Sequence, residues 1–269
     1  MSSDSTGKPI LYTMIAVVTF ATNIAAGQQT EPQSDAVTDI FHSRGIVATL
    51  IVASADGETV HVYNESRSRM RFSPASTFKI PNTLIALDAK VVDSKDTLFR
   101  WDGTDKGLQQ WNSDQTLESA LRVSCVWCYQ EIARKVGKEK YESVLAQIDY
   151  GNQTVGSDVE RFWLNGDLQI SAAEEISFLR RLYDYELPFQ QEHVDVLKDI
   201  MLIEENDQYS LYAKSGWATT TPQVGWFVGF VEKGTQTWFF AMNMRVDNRE
   251  QVSLRKELTL SSLRALGII

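Results

Sequence analysis

Residues 73–79 read Ser73-Pro74-Ala75-Ser76-Thr77-Phe78-Lys79 and hold a serine and a lysine three positions apart. On a helix, side chains at i and i+3 lie on one face, with Cβ atoms about 5–6 Å apart. A serine becomes a good nucleophile when a neighbouring base takes its proton, and a lysine can be that base only when burial removes its charge. The apolar neighbours Phe78 and Ile80 favour such burial. We therefore interpret Ser76 as a candidate nucleophile and Lys79 as its base, with a polar helix start and a solvated lysine as the alternative.

The composition of the 269-residue chain, 43% hydrophobic and 23% charged, is typical of a globular protein with a sizeable core. Its formal net charge is −9, whereas proteins that bind nucleic acid or anionic membranes are usually basic. We therefore expect neither nucleic acid nor a stable membrane association among its partners. The histidines His42, His61 and His193 are far apart in the sequence, and we expect no metal site.

Residues 1–26 have the order of a secretory signal peptide. Lys8 precedes an apolar run over residues 10–21, and the small residues Ala25-Ala26-Gly27 follow. The run is shorter than the roughly 20 residues that span a bilayer, although an uncleaved N-terminal anchor is the alternative. We expect cleavage after this segment, export to the periplasm, and a single mature catalytic domain over residues 27–269.

Two cysteines, Cys125 and Cys128, are the only ones in the sequence and form the pattern Cys-Val-Trp-Cys. The strand-then-helix context of a thioredoxin is missing around them, which disfavours a redox centre. A metal site would need further ligands. Buried thiols and a disulfide within one helical turn both remain open.

Hydrophobic periodicity predicts strands near both ends of the chain and helices between them. The predicted strands cover 45–53, 59–63, 209–214, 224–231 and 237–244, and the predicted helices cover 76–89, 117–136, 140–148, 172–185, a segment around 194–201, and 252–266. This order predicts an α/β fold of the α+β type, with one antiparallel sheet built from both chain ends and flanked by helices. The expected sheet lobe comprises about 27–75 and 207–269, and the inserted helical lobe about 76–206.

Lys214-Ser215-Gly216 lies at the end of a predicted strand. A cation and a hydroxyl, next to a glycine that lets a ligand approach the backbone, form a rim suited to a carboxylate. A serine motif, Ser124-Cys125-Val126, lies between this triplet and Ser76-x-x-Lys79. The order of the three motifs matches the set shared by penicillin-binding proteins and serine β-lactamases.

The chain resembles the class D β-lactamases, the oxacillinase family of serine β-lactamases. The resemblance extends over about residues 45–266 and is carried by Ser76-Thr77-Phe78-Lys79, Ser124-Cys125-Val126, Tyr150-Gly151-Asn152, Trp163-x-x-Gly166 and Lys214-Ser215-Gly216. It implies the β-lactamase/transpeptidase-like fold, which agrees with the lobes expected from periodicity. It also implies hydrolysis of the β-lactam ring of penicillin-type antibiotics through a serine acyl-enzyme, and hence antibiotic resistance.

The resemblance implies roles for four catalytic residues. Ser76 would be the nucleophile, and Lys79 would react with carbon dioxide to give N6-carboxylysine, the general base. Carbon dioxide or bicarbonate would thus be needed, with no other cofactor. Ser124 would relay a proton to the β-lactam nitrogen, and Trp163 would donate its indole N–H to the carboxylated lysine. Without the resemblance, Ser124 would be interpreted as a capping hydroxyl and Trp163 as a core aromatic.

The resemblance also implies a substrate-binding set. Its members are Val126, Lys214, Ser215, Gly216, Trp217 and Arg255. Val126 would cover the carboxylated lysine, while the Lys-Ser-Gly triplet and Arg255 would hold the substrate carboxylate, with Arg245 and Arg249 as alternative arginines. The backbone N–H groups of Trp217 and of the nucleophile would form an oxyanion hole, worth about 3–4 kcal/mol per donor in other enzymes.

Two other functions use the same motifs, namely a β-lactam sensor that stays acylated and a penicillin-binding D,D-peptidase. Sensors are tethered to transmembrane helices and a signalling domain, and neither is expected here. The Ser124-x-Val126 motif together with Trp163 disfavours the peptidase. The expected partner is a small-molecule β-lactam, and the expected oligomeric state is a monomer or a homodimer.

Overall fold

Strands from the two ends of the chain form the central sheet of this computed structural model, which describes residues 32–269. The strands are β1 Ala48–Ser54, β2 Val60–Tyr63, β3 Leu98–Phe99, β4 Gln115–Thr116, β5 Leu202–Glu205, β6 Ser210–Ala218, β7 Val224–Lys233 and β8 Gln236–Arg245. Within the described residues, six strands form an antiparallel sheet in the order β2-β1-β8-β7-β6-β5, and β3 pairs with β4 separately. The antiparallel sheet expected from both chain ends is confirmed, while the signal peptide expected at residues 1–26 lies outside the described residues.

The middle of the sheet is apolar on both faces. All seven residues of β1 are buried between β2 and β8. Ile51 of β1 and Val228 of β7 both pair with Ala241 of β8. Because successive side chains of a strand point to opposite faces, each face of such a sheet needs a cover of helices.

Helices pack against both faces of the sheet. The helices are α1 Pro32–His42, α2 Glu65–Ser68, α3 Lys79–Asp88, α4 Leu117–Arg122, α5 Val126–Val136, α6 Lys138–Gln147, α7 Ala172–Tyr183, α8 Gln191–Met201 and α9 Leu254–Ala265. The first and last of them share one hydrophobic cluster with one sheet face, in which Phe41 and Leu263 pack with Phe240. Helices of the middle of the chain share the other cluster. Within residues 32–269, none of the helices combines the length and apolarity that crossing a bilayer requires.

The continuous helix predicted over residues 117–136 is wrong, because the chain breaks between α4 and α5. Ser124 lies at the break with φ of 55°, in the left-handed region. Its N–H donates to the carbonyl of Leu121 at 3.2 Å, and the N–H of Cys125 donates to that of Ala120 at 2.8 Å. These two bonds form a Schellman helix end, in which glycine is the usual left-handed residue. Holding serine there costs on the order of 1–3 kcal/mol, which marks the position as one that the surrounding structure imposes.

Strand β5 has no counterpart in the sequence prediction, in which the late strands begin at residue 209. It directly follows α8 at the edge of the sheet, and its residues alternate between half-buried and exposed. β5 pairs with β6 only over residues 210–212 of β6. β7, in contrast, pairs with every residue of β6. The part of β6 from residue 213 onward therefore lies beyond the pairing with β5, and this part carries the Lys-Ser-Gly triplet.

Cys125 and Cys128 form a disulfide, with both side chains fully buried. The sequence left buried thiols and a local disulfide open, and the structure has the disulfide. Within the described part of the chain, no group of three or more potential metal ligands comes together.

Candidate active site

Ser76 and Lys79 meet where a short 3₁₀ turn passes into a helix. The turn covers Ala75–Phe78, and α3 begins directly at Lys79. Pro81 removes one hydrogen bond from the first turn of α3, which is why the sequence predicts a distorted start rather than an ideal helix. In this geometry the Lys79 Nζ donates to the Ser76 Oγ at 3.3 Å. The candidate base and nucleophile are thus in contact.

The backbone just before Ser76 is held in an unusual conformation. Ala75 has φ of 49°, in the left-handed region, and its N–H donates to the Trp163 carbonyl at 3.0 Å. The Ser73 hydroxyl donates to the same carbonyl at 2.9 Å, and the indole of Trp226 donates to the Ser73 carbonyl at 2.9 Å. These contacts fix the turn to the sheet and to the segment around Trp163, so that Ser76 faces the cleft.

The Lys79 amine is buried without a counterion. Its side chain is fully buried, and its Nζ lies 4.7 Å from the centre of the Tyr129 ring. Burial, followed by repulsion from the Lys214 ammonium, lowers the pKa of Lys79 well below its ordinary value. None of the salt bridges among the described residues involves Lys79. The site therefore favours the neutral amine, as a lysine base requires.

Trp163 presents a buried donor that has no partner. The side chain is fully buried and stacks on Phe78, with ring centres 5.8 Å apart. Its Nε1 makes no hydrogen bond within the structure. An indole nitrogen can only donate, and a buried donor without an acceptor costs roughly 1–3 kcal/mol. The position suits an acceptor that is not part of the unmodified chain.

Ser124 and Lys214 form a second hydroxyl–amine pair across the cleft. The Lys214 Nζ donates to the Ser124 Oγ at 2.6 Å and to the Ser215 carbonyl at 2.9 Å. Burial and the nearby Arg255 guanidinium lower the pKa of Lys214 to about 7. An amine with this pKa can both lose and regain a proton near neutral pH.

These groups surround a cleft of about 610 Å³. Its walls include Ser76, Ser124, Val126, the segment 215–217 and Arg255. Lys214 lines an adjoining cavity of about 500 Å³, and Lys79 and Trp163 are fully buried. The predicted site residues therefore either line this cleft or are buried, except Lys214, which lines the adjoining cavity and reaches the cleft through its hydrogen bond to Ser124.

Gly216 allows β6 to lie against the turn that carries Ser76. A Cβ at this position would lie 2.8 Å from the Pro74 carbonyl oxygen and 3.2 Å from the Thr77 nitrogen. Real Cβ atoms essentially never come so close to backbone, so a side chain here would push the strand away from Ser76.

Of the three candidates Arg245, Arg249 and Arg255, only Arg255 lines the cleft. It lies in the first turn of α9 and passes over β7 at Gly225, where a Cβ would lie 3.5 Å from its Cδ. Burial lowers its pKa, and its Nε has no hydrogen-bond partner. Arg245 instead pairs with Asp247 and is half exposed, and neither it nor Arg249 lines the cleft.

Several residues around this site were not predicted from the sequence, among them Tyr129, Trp111 and Leu164. Tyr129 lies under the Lys79 amine and shares a hydrogen bond of 2.7 Å with Thr83, while Trp111 and Leu164 line the cleft. The spacing of Tyr129, three positions after Val126 on α5, was a usable signal, because such residues share a helix face. Trp111 and Leu164 come from separate loops, and no periodicity places them.

Tyr150, Gly151 and Asn152 support the site from behind. The Tyr150 hydroxyl donates to Glu175 Oε1 at 3.0 Å, and Asn152 Nδ2 donates to a backbone carbonyl at 2.8 Å. Gly151 has φ of 57°, and a Cβ there would lie 2.1 Å from the Gln169 carbonyl oxygen. The triplet lies outside the cleft walls, as expected for a structural role.

Glu175 is a buried carboxyl that contacts Thr77, the residue after Ser76, and we predict a pH-dependent stability effect from it. The Thr77 hydroxyl contacts its Oε1 at 3.1 Å, its Oε2 has no partner, and burial raises its pKa to about 7. The folded state therefore keeps this proton while the unfolded state loses it, so native stability falls between about pH 4.5 and 7. Glu175→Gln should remove this pH-dependent loss in the free energy of unfolding. The loss is on the order of 3 kcal/mol, because one pKa unit corresponds to about 1.36 kcal/mol.

Urea unfolding of the native protein and of Glu175→Gln at pH 4.5 and 7.5 measures this effect. The variant should gain stability relative to the native protein as the pH rises. Glu58→Gln is the matched control, because Glu58 is exposed. If the free energies of unfolding of Glu175→Gln and of the native protein differ by the same amount at both pH values, Glu175 does not titrate in this range.

Comparison with known proteins identifies the family. The model of the penicillin binding protein transpeptidase domain matches residues 47–262. β-Lactamase OXA-20 of Pseudomonas aeruginosa is 41% identical over 230 residues, which cover 85% of each chain. β-Lactamase OXA-48 of Klebsiella pneumoniae is 42% identical over 207 residues, which cover 77% of this chain and 78% of the relative.

Solved structures agree with these matches. The class D β-lactamase YbXI from Nostoc superimposes with a TM-score of 0.85 at 39% identity, covering 87% of this chain and 99% of that one. FUS-1 (OXA-85), a class D β-lactamase from Fusobacterium nucleatum subsp. polymorphum, superimposes with a TM-score of 0.84 at 35% identity, covering 87% and 98%. The expected fold and the resemblance are both confirmed, and the chain belongs to the class D β-lactamases.

Proposed function

We propose that the protein opens the β-lactam ring of penicillin-type antibiotics through an acyl-enzyme on Ser76, with a carboxylated Lys79 as general base, and thereby gives resistance. The observation that carries this proposal is the fully buried Lys79 amine, 3.3 Å from the Ser76 hydroxyl and without a counterion. Among the described residues, Lys79 forms no salt bridge that would give its buried amine a stabilising role.

The residues around Lys79 fit a carboxyl group on its nitrogen. Only a neutral amine reacts with carbon dioxide, and burial favours that form. The product would be an anion, which needs donors in an apolar site, and the unpartnered Trp163 indole is one. The Lys214 ammonium, which repels a charged Lys79, would attract the anion instead. When present, the carboxyl group supplies an oxygen base of suitable strength next to the nucleophile.

Other residues of the cleft bind the substrate and stabilise the oxyanion. Lys214, Ser215 and Arg255 hold the substrate carboxylate, because two cations and a hydroxyl converge there without a carboxylate between them. Backbone N–H groups of Ser76 and Trp217 stabilise the oxyanion, and Val126 covers the modified lysine. These contacts align the carbonyl carbon with the Ser76 Oγ.

Ser124 completes the ring opening by protonating the leaving nitrogen. Its hydroxyl accepts from Lys214 at 2.6 Å, so its own proton is free to point into the cleft. When that proton moves to the lactam nitrogen, Lys214 can replace it, because the pKa of this amine is about 7. Water then attacks the ester on Ser76, with the base on Lys79 taking a proton from it.

We further propose that residues 1–26 are a signal peptide and that the mature domain, residues 27–269, acts in the periplasm. The disulfide between Cys125 and Cys128 supports export, because disulfides persist mainly in oxidising compartments.

A chromogenic cephalosporin distinguishes a hydrolase from a sensor or a peptidase. We expect absorbance to rise through many turnovers per enzyme molecule, because the base on Lys79 activates water as well as Ser76. We also expect turnover to fall on acidification, as protonated Lys79 cannot hold a carboxyl group, and added bicarbonate to restore part of it. The measurement is steady-state absorbance between pH 5 and 8, with and without bicarbonate. A burst of one equivalent that then stops would contradict hydrolysis.

A further inference from the structure

The position of the Ser124 hydroxyl depends on two helices that meet at this residue. On its N-terminal side, α4 ends in the Schellman bonds described above, and the Val123 carbonyl accepts from the Trp111 indole at 2.9 Å. On its C-terminal side, Cys125 is the N-cap of α5. Ser124 itself is left-handed at φ of 55°, a conformation that favours glycine. Its geometry therefore has to be held from both sides.

The cap of α5 is weak as a hydrogen bond. An N-cap residue normally supplies a serine, threonine, aspartate or asparagine oxygen to the N–H at N2 or N3. Here the acceptor is the Cys125 sulfur, 3.2 Å from the N–H of Cys128. A cysteine sulfur is a weak acceptor. A hydrogen bond of this kind cannot by itself hold a strained neighbour.

A covalent bond joins the same two residues. The disulfide links Cys125 at the N-cap to Cys128 in the first turn, with their Cα atoms 5.6 Å apart. Both side chains are fully buried. Val126, which lines the cleft, lies inside this covalent loop. The link thus fixes the first turn of α5 immediately after Ser124.

We propose that the Cys125–Cys128 disulfide is a positioning device for Ser124, holding its hydroxyl in line between Lys214 and the leaving nitrogen. The inference rests on the role of Ser124 in the proposed function. Without the bond, the first turn of α5 frays, Ser124 relaxes from the left-handed region, and its contact of 2.6 Å with Lys214 is lost. The cysteines act through Ser124 and touch no substrate.

Two variants separate the covalent link from the cap. Cys125→Ala/Cys128→Ala removes both, whereas Cys125→Ser/Cys128→Ala removes the bond and replaces the sulfur cap by a stronger oxygen cap. We expect both variants to acylate with a penicillin at least about tenfold more slowly than the native enzyme, in stopped-flow measurements, a size typical of coupled neighbours. Native rates in the serine-capped variant would overturn the inference, because the cap alone would then suffice.

A double-mutant cycle tests whether the effect passes through Ser124. In the Ser124→Ala background, removing the disulfide should change the acylation rate less than about twofold, because the group it positions is gone. Removing the disulfide should also leave the rate of hydrolysis of a nitrophenyl ester nearly unchanged. The nitrophenolate that leaves from such an ester needs no proton from Ser124. General loosening of the fold would lower all of these rates together, and that result would overturn the inference.

The native chain provides a test that needs no substitution. It is unfolded in urea with a thiol reductant and refolded by dilution, either with the reductant or with glutathione disulfide. Glutathione disulfide takes two electrons and two protons from the cysteine pair and leaves as two glutathione thiols. Circular dichroism confirms the fold of each sample. We expect the reduced enzyme to acylate as slowly as the serine-capped variant, and equal rates would overturn the inference. Absence of turnover in the oxidised native enzyme would overturn the proposed function as well, so the two failures are distinguishable.

Discussion

Lys79→Met is expected to lower steady-state turnover of a penicillin by at least about 10³-fold and to leave the enzyme trapped as an ester on Ser76. Methionine keeps the length and packing of the buried side chain but has no amine. The hydroxyl of Ser76 then has no base at 3.3 Å, so acylation slows. Water attack on the ester slows further, because no other titratable group is this close to Ser76 among the hydrogen bonds of the described residues.

Intact-mass spectrometry after incubation with penicillin measures the trapped ester. We expect a gain of one penicillin mass in Lys79→Met and none in Ser76→Ala, which serves as the control for the site of attachment. The native protein should show no lasting adduct. Turnover of Lys79→Met at the native rate would exclude Lys79 as the base, and an adduct on Ser76→Ala would exclude Ser76 as the nucleophile.

Trp163→Phe should have the second largest effect, a loss of roughly 10–100-fold in kcat at ambient carbon dioxide. The substitution keeps an aromatic ring against Phe78 but removes the buried N–H. A hydrogen bond to a charged group contributes about 1.5–3 kcal/mol, so the carboxylated form of Lys79 should dissociate more readily. By mass action, excess bicarbonate should then restore part of the activity of Trp163→Phe. It should not restore the activity of Lys79→Met, which has no amine to carboxylate.

Carbon-13 NMR with labelled bicarbonate gives a readout that does not depend on turnover. The native protein should show one carbamate signal that Trp163→Phe retains only at high bicarbonate. Trp238→Phe is the matched control, because Trp238 lies at the far end of β8 and packs in the other hydrophobic cluster. A full carbamate signal in Trp163→Phe at low bicarbonate would remove Trp163 from the proposed role.

Much of the fold follows from the periodicity of the sequence. The β-branched run that forms β1 and the aromatic strands β7 and β8 were predicted within a few residues, because central strands bury both faces and read as apolar runs. β5 was missed because an edge strand of four residues, half of them exposed, carries little apolar signal. The break at Ser124 was missed because no glycine or proline marks it in residues 117–136, and only its neighbours force this serine into the left-handed region.

The candidate site was predictable in membership but not in arrangement. The motif order pointed to Ser76, Lys79 and Lys214. In the structure Lys79 contacts Ser76, and Lys214 contacts Ser124 of the same cleft. Among Arg245, Arg249 and Arg255, the choice of Arg255 depends on how α9 passes over β7 at Gly225. Local spacing carries no information about such a crossing.

The sequence by itself determined which elements form and which side chains could react, because periodicity and i, i+3 spacing are local properties of the chain. Tertiary structure decided whether Lys79 can act, since its lowered pKa comes from complete burial and from Lys214, 135 positions further along the chain. It also decided that the Trp163 donor stays unpartnered beneath the cleft and that a disulfide closes beside Ser124. Desolvation and long-range charge depend on what surrounds a group in space, and that is set only when the sheet and the helices pack together.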